Sequence, residues 1–385
     1  MSTSRVSNER GMALAVAIFA LVVIGALVAG TFFAGRLEQS SGQATVYATQ
    51  AAEAGEAGLS DAISGLNATT LGAMAIGDTP TSLGTLTMTG ATGVSSTRSV
   101  RRLTNSVFLV EALGTRWNGA SPSAPLADRK LGTLIRLVSA NISVNAGLTA
   151  LGDVLVGGNS TVSGNDAAPS EWSAAGVSCP PAANVTGVRY NGTLDKKGSS
   201  TINGSPASTN DATLNASNIF GGTDFAALKA LRTLTLTGNV SGLAAAVTGS
   251  PAKCDASVQS NWGAPTVPTS PCFNYFPIVY HYGDLSISGS GEGQGILLVE
   301  GNLTVQGRVD FYGPVIVTGG VDVRGTGSDD VKFYGGILAQ NVTLDDSRLT
   351  GNATVNYSSC AIKRALQGSA IPTPLSERSW VQLYN

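Results

Sequence analysis

The feature that most constrains this chain is an uncharged apolar run near its N-terminus, from Met12 to Ala34. As an α-helix, these twenty-three residues extend about 35 Å, which is enough to cross the hydrocarbon core of a bilayer. A secretory signal peptide usually has a shorter apolar region, followed by an A-x-A-like cleavage site. The run therefore predicts a retained membrane-spanning helix, with an ordinary signal anchor as the alternative interpretation.

The composition favours one span followed by one large exported body. Apolar residues make up 43% of the 385 residues and charged residues 12%, and the formal net charge is −2. After Ala34, a Gly, Asn, Ser or Thr interrupts each apolar group before it reaches the length of a span. Because no strongly basic surface is expected, a nucleic-acid partner is excluded.

Two short motifs flank the predicted span. The segment Arg10-Gly11-Met12 directly precedes its apolar residues and resembles the class III leader of type IV prepilins, which prepilin peptidase cleaves after the glycine. The segment from Gln50 to Ala57 resembles the end of the N-terminal region of PilX-type pilus assembly proteins. The resemblance covers about the first sixty residues. It implies processing between Gly11 and Met12, and a helix that packs against other pilins.

One departure from the pilin pattern narrows the implied role. Major pilins carry a glutamate five residues into the mature helix, whereas this chain has Val16 there. Several minor pilins also lack this glutamate, so the resemblance implies a minor subunit rather than a bulk fibre subunit. Arg5 and Arg10 favour a cytoplasmic N-terminus. The expected location is the inner membrane, as a single-pass protein, and then the pilus or cell surface.

The helix is predicted to continue beyond the membrane to about residue 66. Gly42, Gly55 and Gly58 lie in this second part, where each glycine costs about 1 kcal/mol relative to alanine. Two uses would explain them, namely local melting in an assembled fibre or close packing of the helix, and the sequence does not separate these.

The four cysteines favour disulfides, because an even number at wide spacing outside the cytoplasm is typical of them. Cys254 and Cys272 flank a proline-rich loop, which predicts that they pair and leaves Cys179 with Cys360. Three connectivities are possible from the sequence alone. No C-x-x-C pair exists, and the single His281 does not complete a usual zinc site, so neither a metal nor a cofactor is expected.

From Ile142 onward, apolar residues recur as i, i+2 pairs whose first members are six residues apart. An i, i+2 pair places both side chains on one face of a strand. The pairs are Ile142/Val144, Leu148/Ala150, Val154/Val156, then Leu297/Val299, Leu303/Val305, Val309/Phe311, Val315/Val317, Val321/Val323, and, after a four-residue insertion near Gly325–Ser328, Val331/Phe333 and Ile337/Ala339. Strands this short, with a turn every six residues, predict a β-solenoid of three strands and about eighteen residues per coil.

The predicted fold class is α+β, mainly β, with a small antiparallel sheet between helix and solenoid. Two strands, 106–112 and 131–138, form that sheet, and a short helix begins after Asp224. The predicted domains are a leader (1–11), a pilin-like helix (12–66, spanning the membrane over 12–34), a small α/β head (67–140), a β-solenoid (141–360) with an inserted subdomain (167–276), and a C-terminal cap (361–385). The inserted helix and the C-terminal segment are expected to cover open ends of the solenoid.

The search for chemistry gives few candidates. His281 lies in an aromatic segment with no nucleophile motif nearby, so catalysis there is not expected. Five carboxylates near turns of the solenoid form a candidate patch for calcium or sugar, and the alternative is that they only solvate its surface. They are Asp310, Asp329, Asp330, Asp345 and Asp346.

These observations predict a structural protein rather than an enzyme. The leading hypothesis is a PilX-like minor pilin or pilus assembly component that presents a β-solenoid at a fibre tip or cell surface. The alternatives are an adhesin for surface glycans and a membrane-anchored polysaccharide-active enzyme. The expected partners are other pilins, the inner membrane, prepilin peptidase and surface glycans. The sequence does not distinguish a pilus from a type II secretion machine.

Overall fold

The computed structural model describes residues 10–77, 79–119, 124–220, 223–324, 330–339, 347–350, 352–375 and 381–383. The chain divides into two compact units, which are described separately. The helical unit comprises Met1–Gly65, Ile76–Ile135 and Pro374–Asn385. The coil unit comprises Leu66–Ala75 and Arg136–Thr373.

The helical unit begins with α1, a helix of 56 residues from Arg10 to Gly65. At 1.5 Å per residue, α1 is about 84 Å long. Alanine, leucine and other good helix formers are frequent in it, and no proline interrupts it. The helix predicted for residues 12–66 therefore agrees closely with the observed bounds.

Glycines let the C-terminal half of α1 approach a sheet closely. A Cβ atom at Gly58 would collide with Ser96, and a Cβ atom at Gly114 of the sheet would collide with the backbone of α1 at Gly55. Both Gly55 and Gly58 are buried. Close packing is therefore the use of these two glycines, whereas Gly42 has open space around it.

The sheet beside α1 is antiparallel. Its strands are β1 (Thr81–Thr87), β2 (Val94–Arg102), β3 (Val107–Trp117) and β4 (Pro125–Val138), and β26 (Val381–Leu383) also pairs with β4. The two strands predicted at 106–112 and 131–138 are too short, because pairing with β2 continues along β3 as far as Arg116. The strand β3 thus extends to Trp117, and β4 begins at Pro125. Part of the predicted C-terminal cap, Val381–Leu383, also belongs to this sheet.

The remaining elements are short. The helices are α2 (Ala68–Ala73), α3 (Ser170–Ala174), α4 (Phe225–Ala230) and α5 (Ser359–Gly368). The strands are β5 (Ala146–Ala150), β6 (Val154–Val156), β7 (Thr161–Ser163), β8 (Thr186–Tyr190), β9 (Leu194–Lys196), β10 (Thr201–Asn203), β11 (Ser208–Asn210), β12 (Leu234–Leu236), β13 (Val247–Thr248), β14 (Lys253–Cys254), β15 (Ile278–Tyr282), β16 (Leu285–Ile287), β17 (Ser290–Gln294), β18 (Ile296–Glu300), β19 (Leu303–Gln306), β20 (Arg308–Val317), β21 (Val321–Arg324), β22 (Val331–Ala339), β23 (Ser347–Thr350), β24 (Ala353–Tyr357) and β25 (Ile371–Pro374).

Most strands of the coil unit stack in parallel with a regular register, whereas β13 and β14 form a separate antiparallel pair. Leu297 of β18 pairs with Val315 of β20, and Leu303 of β19 pairs with Val321 of β21, so each step advances by eighteen residues. Asp310 pairs with Lys332 at a step of twenty-two residues, because four residues are inserted between them. This register agrees with the spacing predicted from the i, i+2 pairs. We call each set of three consecutive strands a coil.

The coils do not stack in the order of the sequence. Strands β5, β6 and β7, which form the first coil of the chain, pair with β22, β23 and β24, which form the last. The chain then continues through β8, β9 and β10 on the far side of this first coil. It returns at β12, which pairs with β15 at the opposite end of the stack.

This order corrects the predicted subdomain at 167–276. Residues 186–210 and 234–236 of that segment are strands that pair in parallel with the coils. The sequence obscures them because β9, β10 and β11 contain few large apolar residues; Leu194 and Ile202 are the ones that pack against the core. The two runs of pairs in the sequence thus belong to a single stack.

Two apolar clusters lie on opposite faces of the coil strands. The inner cluster fills the coils and contains the predicted pairs from Leu148 onward, including Val315 and Val317. The outer cluster contains Ile316 and the predicted pair Ile142/Val144. Ile316, which lies between the inward-facing Val315 and Val317, is also fully buried. A second layer of side chains covers this outer face.

Helices α4 and α5 supply part of that second layer. Asp224 caps α4 as predicted, accepting a hydrogen bond from the Ala227 amide at 2.6 Å. Leu228 of α4 and Ile362 of α5 belong to the outer cluster. The two helices therefore cover a side of the stack, where the sequence predicts that they cover its ends. At the β12 end, Trp262 packs into the inner cluster, edge-on to the Phe311 ring.

Candidate functional site

The first half of α1 presents an unpartnered apolar surface. Every residue from Met12 to Val46 is exposed. We call this segment the exposed half-helix. Within the described part of the chain, α1 is the single helix that is long and apolar enough to cross a membrane. Its large exposed side chains include Leu14, Val16, Ile18, Phe19, Leu21, Val22, Ile24, Leu27, Phe32 and Phe33.

One hydroxyl group and three glycines in the apolar part of the exposed half-helix suit an apolar environment. The Thr31 hydroxyl donates a hydrogen bond to the Val28 carbonyl at 2.9 Å, so it is satisfied within the helix. A Cβ atom added at Gly25, Gly30 or Gly35 would meet no neighbouring atom within 4 Å. Small residues on a membrane helix allow the backbone of another helix to approach closely. The exposed half-helix therefore has room for helical partners.

The expected processing residues lie at the beginning of α1. The helix starts at Arg10, so Gly11 and Met12 are both in its first turn, which has no acidic residue. Val16 lies one turn further and is 66% exposed. Within the described residues of α1, the first acidic side chain is that of Glu38, far from this end of the helix.

The candidate carboxylate patch is described only at Asp310 and Asp330. Asp329, Asp345 and Asp346 lie outside the described residues. Among the residues that the structure describes, no group of three or more histidine, cysteine, aspartate or glutamate side chains is arranged to hold a metal ion.

Asp310 has an unusual environment. It lies in register between Glu292 and Lys332 on neighbouring coils, and its Oδ1 atom is buried without a hydrogen-bond partner among the described residues. Burial raises the pKa of Asp310, although the charges of Lys332 and Arg308 oppose this shift. The arrangement resembles a partly desolvated structural carboxylate rather than a calcium ligand set.

His281 packs as part of the coils. Its ring is 7% exposed, and its Nε2 atom lies 3.1 Å from the Asp284 carbonyl. Its Nδ1 atom is buried and has no partner in the described part of the chain. No described serine, cysteine or aspartate side chain is hydrogen-bonded to either ring nitrogen, so this environment does not form a catalytic triad.

The two disulfides are the pairs expected from the sequence. Cys254 is bonded to Cys272, 18 residues later, and Cys179 is bonded to Cys360, 181 residues later. The longer link joins the segment after the first coil to α5, which follows the last coil. Asp166 reinforces it by accepting hydrogen bonds from the Ser359 amide and hydroxyl at 2.8 and 2.9 Å.

Sequence reasoning missed an aromatic stack beside α5. Trp172, Tyr312 and Tyr334 stack with ring centroids 5.4 and 4.9 Å apart. Burial raises the pKa of Tyr334 to about 12. The repeated Phe-Tyr-Gly segments that contain Tyr312 and Tyr334 signalled this stack, because equivalent residues on adjacent coils align. Trp172 had no such signal.

Arg364 of α5 lies against these aromatic rings. Its guanidinium carbon is 4.4 Å from the Trp172 ring centroid, 4.9 Å from that of Phe273 and 5.0 Å from that of Phe276. Its Nη1 atom is buried and has no hydrogen-bond partner among the described residues. Burial lowers the pKa of Arg364 to about 10.

Two grooves run along α5 and share Ser359, Lys363 and Gln367. One, of about 360 Å³, lies beside Ile142–Asn145. The other, of about 380 Å³, lies between α5 and Ser178–Ala182 and also contains Arg364. We call the second one the α5 groove. Lys363 is exposed at the boundary of the two.

A charged cluster fixes α4 to the outer face of the coils. The Lys229 ammonium lies 2.6 Å from a Glu300 carboxylate oxygen, which also accepts a hydrogen bond from the Tyr280 hydroxyl at 2.5 Å. The hydrogen bond from Lys229 holds the pKa of Glu300 below its usual range. Because its members satisfy one another, this cluster has a structural explanation.

Comparisons with known proteins are sparse. No protein-family model matches the chain, and no curated protein matches it. Among solved structures, it is similar to the crystal structure of competence-associated pilin ComZ from Thermus thermophilus, with 11% identity and a TM-score of 0.27. The alignment covers 88% of this chain and 98% of that one. A superposition with this TM-score is too loose to carry an argument about fold or function.

Proposed function

We propose that the chain is a minor pilin or pilus assembly component of a type IV pilus-like machine. The observation that carries this proposal is the division of α1 into two halves. The exposed half-helix is apolar as far as Gly35 and has no packing partner among the described residues, whereas the half that ends at Gly65 packs on an antiparallel sheet. A membrane before assembly, and other pilin helices afterwards, would cover the exposed half-helix.

The minor-subunit role follows from the start of α1. A mature helix that begins at Met12 places Val16 where a major pilin has a glutamate. Without that acidic group, the subunit is expected to join a small complex of other pilins rather than polymerise by itself. Their acidic residues or free N-termini would supply the polar contact.

The stacked coils are the part that such a subunit would display. Parallel pairing at an eighteen-residue register supports a β-solenoid of three strands per coil. We assign it a structural rather than a catalytic role, at a fibre tip or on the cell surface. The alternative role, adhesion to surface glycans, is favoured by the α5 groove, which is considered below.

Processing at Gly11 provides the test. Membrane-extracted protein from cells that contain prepilin peptidase should begin at Met12 when its N-terminus is sequenced. Gly11→Val should block this cleavage, whereas Gly35→Val should not, because Gly35 lies in the exposed half-helix with open space around it. An intact N-terminus, or a start near residue 35, would reject the prepilin hypothesis and leave the signal anchor.

A further inference from the structure

The α5 groove combines positive charge with unused hydrogen-bonding groups. Lys363 and Arg364 are adjacent on α5 and both line it, together with Ser178, Ser359 and Gln367. No carboxylate is among its described lining residues. The groove therefore contains two cations that no lining side chain neutralises.

The position of Arg364 is already determined before any ligand arrives. Three aromatic rings lie within about 5 Å of its guanidinium carbon, which restricts the side chain. A guanidinium held in one place loses less conformational entropy when it binds an anion. The buried Nη1 atom has no hydrogen-bond partner among the described residues, and Arg364 also lines the groove.

Asp166, the carboxylate at the start of α5, is already engaged in hydrogen bonds. It accepts hydrogen bonds from the Ser359 amide and hydroxyl and from the Ala182 amide, the last at 2.6 Å. These bonds place it at the start of α5, where a negative charge is favourable. They leave Lys363 and Arg364 without a described ion pair.

From this geometry we infer that the α5 groove binds one oxyanion, a carboxylate or a phosphate, carried by a small polar molecule such as an acidic sugar. Arg364 supplies the fixed guanidinium, which matches the planar pair of oxygens in a carboxylate. Lys363 supplies a mobile second charge, and the serine and glutamine side chains can bond hydroxyl groups. A volume of about 380 Å³ suits a single sugar ring rather than a long chain. This inference is independent of the assembly role of α1.

The inference is tested by measuring the binding of three sugars to the full chain in detergent micelles. The sugars are D-glucuronate, D-glucose 6-phosphate and uncharged D-glucose, which share one hexose ring. Binding is measured by isothermal titration calorimetry at low and high salt. We expect saturable binding of one or both anionic sugars and none of glucose. Which anionic sugar binds decides between carboxylate and phosphate. Because exposed charges are screened, binding should weaken as salt is raised.

Substitutions test whether the anionic sugar binds in the α5 groove. Lys363→Gln should weaken binding about tenfold, the equivalent of one charge-assisted contact. Lys363 is exposed, so this variant should keep its fold. Lys253→Gln is the matched control, because Lys253 is equally exposed and lies outside both grooves. Arg364→Lys should also weaken binding, since it keeps the charge but loses the planar fork.

Two results would overturn the inference. One is the absence of saturable binding by either anionic sugar, or equal binding of glucose. The other is binding that Lys363→Gln and Lys253→Gln leave equally unchanged, because the anion would then lie elsewhere.

Discussion

The exposed half-helix and the interior of the coils share large aliphatic residues but use them differently. Valine, leucine and isoleucine are frequent in both, although alanine is the most frequent residue of the exposed half-helix. In the coils, Val299, Val315 and Val323 are fully buried against other coil residues. In α1, Val16 and Leu27 are 66% and 65% exposed. Their environment must therefore come from outside the chain.

The difference separates two kinds of stability. Each buried valine or leucine contributes about 1.5–3 kcal/mol relative to exposure, so the coils gain this energy within the chain. On the proposed function, the exposed half-helix gains it from a bilayer or from other helices. A change in the coils should therefore alter folding, and a change in the exposed half-helix should alter location and assembly.

The largest effect is expected from a charge inside the coils. Val323→Asp should destabilise the protein by on the order of 6 kcal/mol, because it loses apolar burial and places a carboxyl group among apolar side chains. Thermal unfolding followed by circular dichroism measures the change. The natural Asp322, one residue earlier, points to the other face and remains 26% exposed. Asp322→Val is therefore the control, and it should cost less than about 1 kcal/mol. Equal losses would contradict the register.

The outer cluster extends this prediction. Ile316→Asp should be about as damaging as Val315→Asp or Val317→Asp, because all three side chains are fully buried. A mild effect of Ile316→Asp, measured in the same unfolding experiment, would show that the outer face of the coils is open to water.

The next effect concerns the disulfides, whose loops differ in length. In the chain-entropy model, a link across 181 residues contributes about 5 kcal/mol and a link across 18 residues about 3 kcal/mol. The Cys179→Ala/Cys360→Ala variant should therefore lose more stability to denaturant than Cys254→Ala/Cys272→Ala. The reverse order would mean that the junction between first and last coils is stable without its disulfide.

A smaller effect, on location rather than folding, is expected in the exposed half-helix. Ile24→Asp places a charge near the centre of the span, which costs about 3 kcal/mol of membrane insertion. The protein should become extractable from membranes at high pH while the unfolding of its coils stays unchanged. Thr45→Asp lies in the exposed half-helix beyond the predicted span and should leave membrane retention intact. Retention of both variants would argue that α1 is not the anchor.

The smallest effect is expected at Asp310. Burial raises its pKa in the folded chain, so the folded state binds this proton more tightly than the unfolded state. The contribution of Asp310 to stability is therefore most favourable at low pH and becomes less favourable as pH rises through the raised pKa. Asp310→Asn should raise the melting temperature by about 2 °C at pH 7 and by less at pH 3. A variant that melts lower at pH 7 would show that the ionised Asp310 is stabilised by Lys332 and Arg308.

How much of the fold the sequence predicts depends on how local each signal is. The span of α1 and the i, i+2 pairs are repeated local patterns, so α1 and the eighteen-residue register could be predicted, including the shift between Asp310 and Lys332. The stacking of β5 on β22 could not, because it joins residues nearly two hundred positions apart. The coverage of Ile316 was missed for the same reason, since α4 and α5 arrive from distant parts of the chain.

In the candidate sites, too, contacts between residues close in sequence could be predicted, whereas contacts between distant residues could not. Cys254 and Cys272 could be paired because a short loop connects them. The aromatic rings that surround Arg364 could not be predicted, since Trp172, Phe273 and Phe276 lie on segments far from α5 in sequence. Asp310 was predicted on a surface patch, whereas its carboxyl group is partly buried beside two cations.

The central claim is that the exposed half-helix is an assembly surface for a low-copy subunit. Quantitative mass spectrometry of sheared, washed fibres tests it most directly, with Ile24→Asp as the matched variant. We predict that the wild-type chain is present at a small fraction of the major subunit and that the variant is absent from fibres. Abundance near that of the major subunit would contradict the minor role, and absence of the wild-type chain from fibres would contradict assembly itself.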